Sequence, residues 1–329
     1  MPIISIVIAV YNNEMYLGSA VQSVLNQYCK DIEIIIIDDG STDDTGRIAD
    51  EIALENDNVF VYHQRNQWIY ASFNNGIEKA KGEYIYILNS DDRLAGGSLA
   101  KLLDAIETYN HPDVVWTKVK VINCDDKQKP LDSLDVNATI TKDEYYDLDL
   151  DKSGWEKILT TRVMGNQANL YKRSIMLKHQ FRNDVYGADY LFNLDAAKDI
   201  HTCVFLSCDI YYFFEYHNKN MNVSVGKYYG YEHQMFNEFY LGVKQLLKEK
   251  DIYSEELIDF FRSDRRKQVI IEINLLLVAD SKRTYAEKLA ILENETWDEV
   301  LEECYTKSGR EGYNVVLRRE LEKYKNNNL

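Results

Sequence analysis

The sequence predicts an α/β protein with a mostly parallel central sheet flanked by helices, followed by a helical module at the C-terminal end. One observation is that residues 3–10 and 32–37 are β-branched and apolar at nearly every position, as strands buried on both faces of a parallel sheet are. A second is that such runs alternate with amphipathic helical patterns, the arrangement that right-handed crossovers between parallel strands produce. A third is that strand patterns stop after about residue 227, and helical patterns then follow one another. The expected boundaries are therefore 1–227 for the α/β part and 228–329 for the helical module.

Taken in order, the strand 3–10 is followed by a helix over 14–27, where Leu17, Ala20, Val21, Val24 and Leu25 form one apolar stripe. A strand at 32–37, a helix at 45–56, a strand at 59–63, a helix at 73–80 and a strand at 84–88 continue the alternation. Leu99, Leu102, Leu103 and Ile106 line one face of a helix over 97–109, which precedes a strand at 114–121. Residues 124–152 are Asp-rich and turn-prone and read as a long loop. Apolar content returns over 190–197 and 203–214, a helix followed by strands. In the C-terminal part, Met235, Phe236, Phe239, Tyr240, Val243, Leu246 and Leu247 trace a helical stripe, and Thr296 with Glu299 forms a capping box ahead of Val300.

The 329-residue chain is 45% hydrophobic, enough to bury a large core, and its 54 acidic against 38 basic residues give a net charge of −16. That charge argues against a nucleic-acid partner. Cys29, Cys124, Cys203, Cys208 and Cys304 contain no CxxC pair and fit reduced thiols in the cytoplasm better than a disulfide framework or a zinc site. The run 3–10 is too short for a signal peptide, and 269–279, interrupted by Glu272 and Asn274, is too short to span a bilayer. The expected location is cytoplasmic, with the inner face of the membrane open to it. The cluster Arg262, Arg265, Arg266 and Lys267 suits an anionic lipid or acidic glycan surface, and equally a solvated helix face. Oligomeric state is not legible.

Ligands of open α/β sheets bind beyond the carboxyl ends of the strands. Here those ends read Tyr11-Asn12-Asn13, Asp38-Asp39-Gly40-Ser41-Thr42-Asp43 and Asn89-Ser90-Asp91-Asp92. Paired carboxylates after a buried strand are the hard oxygen ligands that Mg²⁺ or Mn²⁺ takes while also holding substrate phosphates. Taken alone, the same residues also suit a turn and a helix cap. A nucleotidyltransferase would carry a Gly-rich phosphate loop after the first strand, and Tyr11-Asn12-Asn13 is not one.

The set resembles the family 2 glycosyltransferases of the GT-A fold. The resemblance rests on Ser5 to Asn12, Ser23-Val24-Leu25-Asn26-Gln27, Ile37 to Asp43, Asn74-Asn75-Gly76-Ile77, Ala80 to Ile85 and Asn89 to Asp92, the last at the place of the DxD metal motif. It extends to about residue 225. It implies that Tyr11 and Asp39 hold the nucleotide base, usually uracil, that Asp91 coordinates Mn²⁺ or Mg²⁺, and that Asn89 and Asp92 lie by the metal and the donor sugar or ribose. Tyr186 to Phe192 is similar to the family's acidic motif, which makes Asp189 the implied catalytic base. Such a base takes the proton of the acceptor hydroxyl as it attacks the anomeric carbon in an inverting transfer; read alone, Asp189 also suits a helix N-terminus. His217 and Lys219 lie where relatives carry a cationic segment over the diphosphate, and a solvated basic loop is the other reading. Trp68 and Trp155 suit either sugar stacking or the core.

The function implied is inverting transfer from a UDP-sugar to a carbohydrate or lipid-linked glycan acceptor in cell-surface polysaccharide assembly. Three departures stand against it: Asn89 in place of the first DxD carboxylate, Phe73 in place of an Arg, and Ala188 in place of an acidic residue. They make a non-catalytic nucleotide-sugar-binding or scaffolding protein the rival reading.

Overall fold

The computed structural model describes residues 2–328 apart from 126, 162, 166, 167, 186, 217–227, 281 and 295. The chain divides into two compact units, Met1–Met221 and Asn222–Leu329.

In the first unit the elements run β1 (Ile4–Val10), α1 (Leu17–Leu25), β2 (Ile32–Asp38), α2 (Thr45–Glu55), β3 (Val59–His63), α3 (Ile69–Lys79), β4 (Tyr84–Ile87), β5 (Arg93–Leu94) and α4 (Ser98–Thr108). They continue through β6 (Val114–Cys124), β7 (Pro130–Asp135), β8 (Glu144–Asp147), α5 (Ser153–Thr160), β9 (Leu170–Lys172), α6 (Arg173–Lys178), α7 (Ala188–Ala196) and β10 (Thr202–Tyr216). The strands form one 10-stranded sheet in the order β3-β2-β1-β4-β9-β6-β10-β5, with β7 on β6 and β8 on β10.

The block β3-β2-β1-β4 is parallel throughout. Every residue of β1 and β2 is buried, as their continuous apolar runs require. The other half of the sheet is mixed: β9 runs antiparallel between β4 and β6, while β6 and β10 are parallel. The segment expected as a loop over 124–152 contains β7 and β8, both antiparallel additions to the sheet. β7 is exposed along its whole length, and its two leucines, Leu131 and Leu134, stand three residues apart, so no apolar alternation marks it as a strand.

Several motif residues serve to seat one element on another. A Cβ on Gly76 would stand 2.4 Å from Val7 Cγ1, so the glycine lets α3 lie directly on β1. Asn74 clamps α3 to the segment leading into α7, donating to the Phe181 carbonyl (2.8 Å) and accepting the Phe181 amide (2.9 Å). Gln27 accepts the Leu99 amide (2.9 Å) and Ser23 Oγ accepts the Leu94 amide (3.0 Å), fixing α1 to β5 and α4. Trp116 and Trp155 are core residues.

The second unit comprises α8 (Glu232–Glu249), α9 (Glu255–Asn274), a π-helical turn at Leu275–Ala279, α10 (Tyr285–Asn294), α11 (Glu299–Cys304) and α12 (Gly309–Asn328). Tyr240, Val243, Leu246 and Leu247 of the expected stripe are buried. The cap of α11 differs from the sequence expectation: Asp298, not Thr296, receives the Leu301 amide (2.9 Å), while Thr296 bonds back to Ile291. The basic cluster is not an outward face either. Arg265 is buried against Glu272 (2.6 Å), Arg266 donates to the Cys304 carbonyl, and Arg262 pairs with Asp259 (2.7 Å) and Glu255 (3.0 Å). Only Lys267 of the four is exposed. The five cysteines are free thiols, and among the described residues no helix is long and apolar enough to cross a membrane.

Candidate active site

The parallel register brings the carboxyl ends of β1, β2 and β4 to one edge of the sheet, with Val10 opposite Asp38 and Val7 opposite Ile87. Tyr11, the first residue past β1, is 50% exposed there. The two asparagines that follow it lash the strand ends together. Asn12 Oδ1 accepts the Thr42 amide (2.7 Å) and its own amide donates to Ser41 Oγ (3.0 Å). The Asn13 amide donates to Thr45 Oγ1 (2.8 Å), and Asn13 Nδ2 reaches Ser90 Oγ (2.8 Å) beyond β4.

Asp39 is buried, and its carboxylate fastens the loop between β3 and α3. Oδ1 accepts Gln64 Nε2 (2.8 Å) and the Gln67 amide (2.8 Å), and Oδ2 accepts the Trp68 amide (2.9 Å). Asn75 in turn donates to Gln64 Oε1 (2.6 Å), which orients the glutamine amide toward Asp39. The two loops press together closely enough that a Cβ on Gly40 (φ +77°) would lie 3.0 Å from the Asn66 nitrogen and the Gln64 oxygen. Trp68, the residue before α3, has φ +80° and ψ 160°, a region that side-chain-bearing residues avoid at a cost of about 1–3 kcal/mol. Because Asp39 holds that amide, α3 begins at Ile69, four residues before the apolar pattern predicts.

At the end of β4 the two aspartates part company. Asp92 is buried, with Oδ2 accepting Tyr211 Oη (2.6 Å) and Asn89 Nδ2 (2.8 Å) and Oδ1 accepting the Phe214 amide (2.8 Å). It ties the β4 loop to β10 and has few lone pairs left for a ligand. Among the described residues Asp91 makes no side-chain hydrogen bond beyond the one from its own amide, and its carbonyl accepts Gln128 Nε2 (2.8 Å). Burial raises both carboxyls above the usual range, and for Asp92 the neighbouring Asp91 charge adds to it. Among the described residues no group of three or more His, Cys, Asp or Glu side chains forms a closed metal cage.

Asp189 lies in the first turn of α7, half-buried. Burial pushes its carboxyl up to about 6, against the lowering effect of its own amide, the Tyr70 hydroxyl and the Tyr190 amide. Tyr70 Oη donates to Asp189 Oδ1 (3.2 Å) and accepts the Gly187 amide (2.9 Å), so one hydroxyl aligns both the carboxylate and the turn that carries it. Tyr70 is itself fixed by a ring stack on Phe181 (5.8 Å) and by α3. Sequence reasoning missed this tyrosine. The available signal was its spacing of four from Asn74, which puts both on the helix face toward Phe181. Gln128 was missed as well, because it lies in the segment read as a loop.

Replacing Tyr70 with Phe removes one donor to the Asp189 carboxylate, so its pKa rises further. The expected result is that the acid limb of the pH dependence of kcat moves to higher pH, with most activity retained at pH 8. A uniform loss at all pH values would assign Tyr70 a purely structural role.

The three departures from the family pattern have local explanations. Asn89 serves as the hydrogen-bond donor to Asp92. Phe73 is buried and packs against both Tyr70 and Phe181 in an aromatic cluster on α3, and Ala188 is buried at the start of α7. His217 and Lys219 lie outside the described residues. The structure thus gathers Tyr11, Asp39, Asn89, Asp91 and Asp92 at the ends of β1, β2 and β4, and α3 links that edge to Asp189.

Comparison with known proteins bears on the family and the fold. Residues 5–184 match the model of glycosyl transferase family 2. An uncharacterized glycosyltransferase of Haemophilus influenzae is 35% identical over 208 residues, covering 63% of this chain and 76% of its own. A GalNAc(5)-diNAcBac-PP-undecaprenol beta-1,3-glucosyltransferase of Campylobacter jejuni is 26% identical over 251 residues, 75% of this chain and 74% of that one. Among solved structures, S. aureus TarS 1-349 in complex with UDP-GlcNAc superposes with a TM-score of 0.64 at 17% identity, over 98% of this chain and 89% of that chain, a likeness of fold. With residues 5–184, more than half its length, matched to the family model and with a GT-A type fold, the chain belongs to glycosyl transferase family 2.

Proposed function

We propose that this glycosyltransferase is an inverting enzyme that uses a UDP-sugar, with Asp189 as its base and a divalent cation, Mn²⁺ or Mg²⁺, at Asp91. The observation that carries the reading is the division of labour among the carboxylates. Asp39 and Asp92 are spent on holding loops, while Asp91 and Asp189 keep oxygens for a ligand. Asp91 fits a hard cation of the kind bound by one or two carboxylates together with substrate phosphates and water. Such a cation, when bound, offsets the charge of the departing diphosphate. Tyr11 then faces the base from the end of β1, with Asp39 holding the loop opposite it.

A hexosyl or N-acetylhexosaminyl donor is supported by the glucosyltransferase relative and by the UDP-GlcNAc complex of TarS, and a lipid-linked glycan acceptor by the undecaprenol-linked substrate in the relative's name. A lipid-linked acceptor brings the enzyme to the inner face of the membrane.

A ligand that binds only the folded protein raises its melting temperature. UDP with Mn²⁺ is expected to raise Tm more than GDP or CMP at equal concentration. Equal shifts from the three nucleotides would remove the claim of uracil recognition, and donor hydrolysis measured in the same samples separates a catalyst from a binding protein.

A further inference from the structure

We infer that Gln128 is a positioning residue for the cation site, its side-chain amide fixing the main chain that carries Asp91; this rests on the reading above that Asp91 holds Mn²⁺ or Mg²⁺. Gln128 lies in the turn between β6 and β7, and the lysines on either side of it, Lys127 and Lys129, are exposed. Gln128 itself is buried, and at φ +57° its backbone is in the left-handed region, which asparagine adopts more readily than glutamine.

The turn is closed by other groups. The Gln128 amide donates to the Asp125 carbonyl (3.0 Å) and the Asp125 amide to the Lys129 carbonyl (3.1 Å), while Asp125 Oδ1 accepts the amides of Lys127 and Lys129 (both 2.9 Å). The Gln128 side chain takes no part in these bonds. It reaches out of the turn, where Nε2 donates to the Asp91 carbonyl (2.8 Å) and to Tyr216 Oη (2.8 Å), and Oε1 accepts the Arg93 guanidinium. The chemistry of the partners dictates which way the amide faces: a guanidinium only donates and a carbonyl only accepts, so Oε1 must meet Arg93 and Nε2 must meet Asp91. Tyr216 Oη lies 3.5 Å from the same Asp91 carbonyl, and its ring packs on Tyr16 ahead of α1 (5.2 Å).

The neighbouring aspartates are thus held by different atoms. Asp92 is fixed through its carboxylate, by Tyr211, Asn89 and the Phe214 amide. Asp91 is fixed through its carbonyl, which leaves the carboxylate oxygens for a ligand while the chain behind them is already in place. With the main chain set, only two side-chain torsions remain to be ordered when a cation binds, and such preorganisation strengthens binding by lowering its entropic cost.

The test uses Gln128→Asn and Gln128→Met in the full chain. Asparagine suits the left-handed backbone and keeps the turn, but its amide is one methylene short of Asp91; methionine keeps the length and removes the hydrogen bonds. UDP affinity is measured by calorimetry in chelator and in Mn²⁺, and the ratio of the two is the readout. Both variants are expected to lose about tenfold or more of the Mn²⁺ enhancement seen in wild type, the usual cost of removing a partner behind a metal ligand. Their UDP affinity in chelator should stay within about twofold of wild type. A folded variant with the wild-type ratio, whatever its melting temperature, would overturn the assignment. Failure of both variants to fold would overturn it too, by making the amide a requirement of the fold itself. Wild-type protein whose UDP affinity does not respond to Mn²⁺ would instead overturn the cation reading, and this inference with it.

Discussion

Asp189→Asn is expected to lower transfer by about a hundredfold or more, the usual contribution of a positioned general base, with UDP affinity unchanged. Asparagine keeps the size of the side chain and can still accept the Tyr70 hydroxyl and the Tyr190 amide, but it cannot take the acceptor's proton. In the wild type, transfer should fall as pH drops below about 6, where the carboxyl protonates. Stability should move the opposite way. The folded carboxyl titrates near 6 and the unfolded one near 3.8, so the folded state binds more protons between those values. Its contribution is present below the unfolded value and is lost as pH rises through the folded one. Neutral asparagine escapes that loss, so the variant should melt above wild type at pH 8 and lose its advantage at pH 4. The full shift corresponds to about 3 kcal/mol, and solvent screening at a half-buried group brings the expected gain nearer to about 1 kcal/mol. Wild-type turnover in Asp189→Asn would make the residue a helix-end aspartate and nothing more, since asparagine serves there about as well.

Asp91→Ala is expected to abolish the effect of Mn²⁺ on donor binding and to reduce turnover by about a hundredfold or more, given the several kcal/mol that a metal-bound phosphoryl group gains. Full turnover of wild type in chelator, or an unaffected variant, would rule the metal role out. Asn89→Asp gives a sharper reading because of what Asn89 touches. Its Nδ2 donates to Asp92 Oδ2 at 2.8 Å, so an aspartate there sets a second carboxylate against a buried one. The variant should melt below wild type in chelator, and Mn²⁺ should restore more of its Tm than it adds to wild type. A variant as stable as wild type in chelator would mean that the contact with Asp92 does not define the role of Asn89.

The parts of the fold that were legible share one property: their burial is written in consecutive residues. Residues 4–10 and 32–38 are buried at every position, so the parallel block follows from local pattern and chain connectivity alone. The short strands β5, β7, β8 and β9 carry no such pattern, because they add to edges or fill gaps whose existence depends on other strands. The single strand β10 reads in sequence as more than one, because irregularities in its pairing with β6, between Phe205 and Tyr211, break the alternation that a strand normally shows.

By itself, the sequence determined that polar strand ends rich in Asp and Asn would converge on one edge of a parallel sheet, since that follows from the period and order of its elements. Only the tertiary structure decided which of those carboxylates can meet a ligand. Asp92 is consumed by Tyr211, 119 positions away, and Asp39 by Trp68, 29 positions away, whereas Asp189 gains its alignment from Tyr70, 119 positions earlier. A carboxylate has few lone pairs, and whether they are filled depends on which distant donors the fold brings within about 3 Å. No property of Asp-Asp or Ala-Asp-Tyr as a local string carries that information.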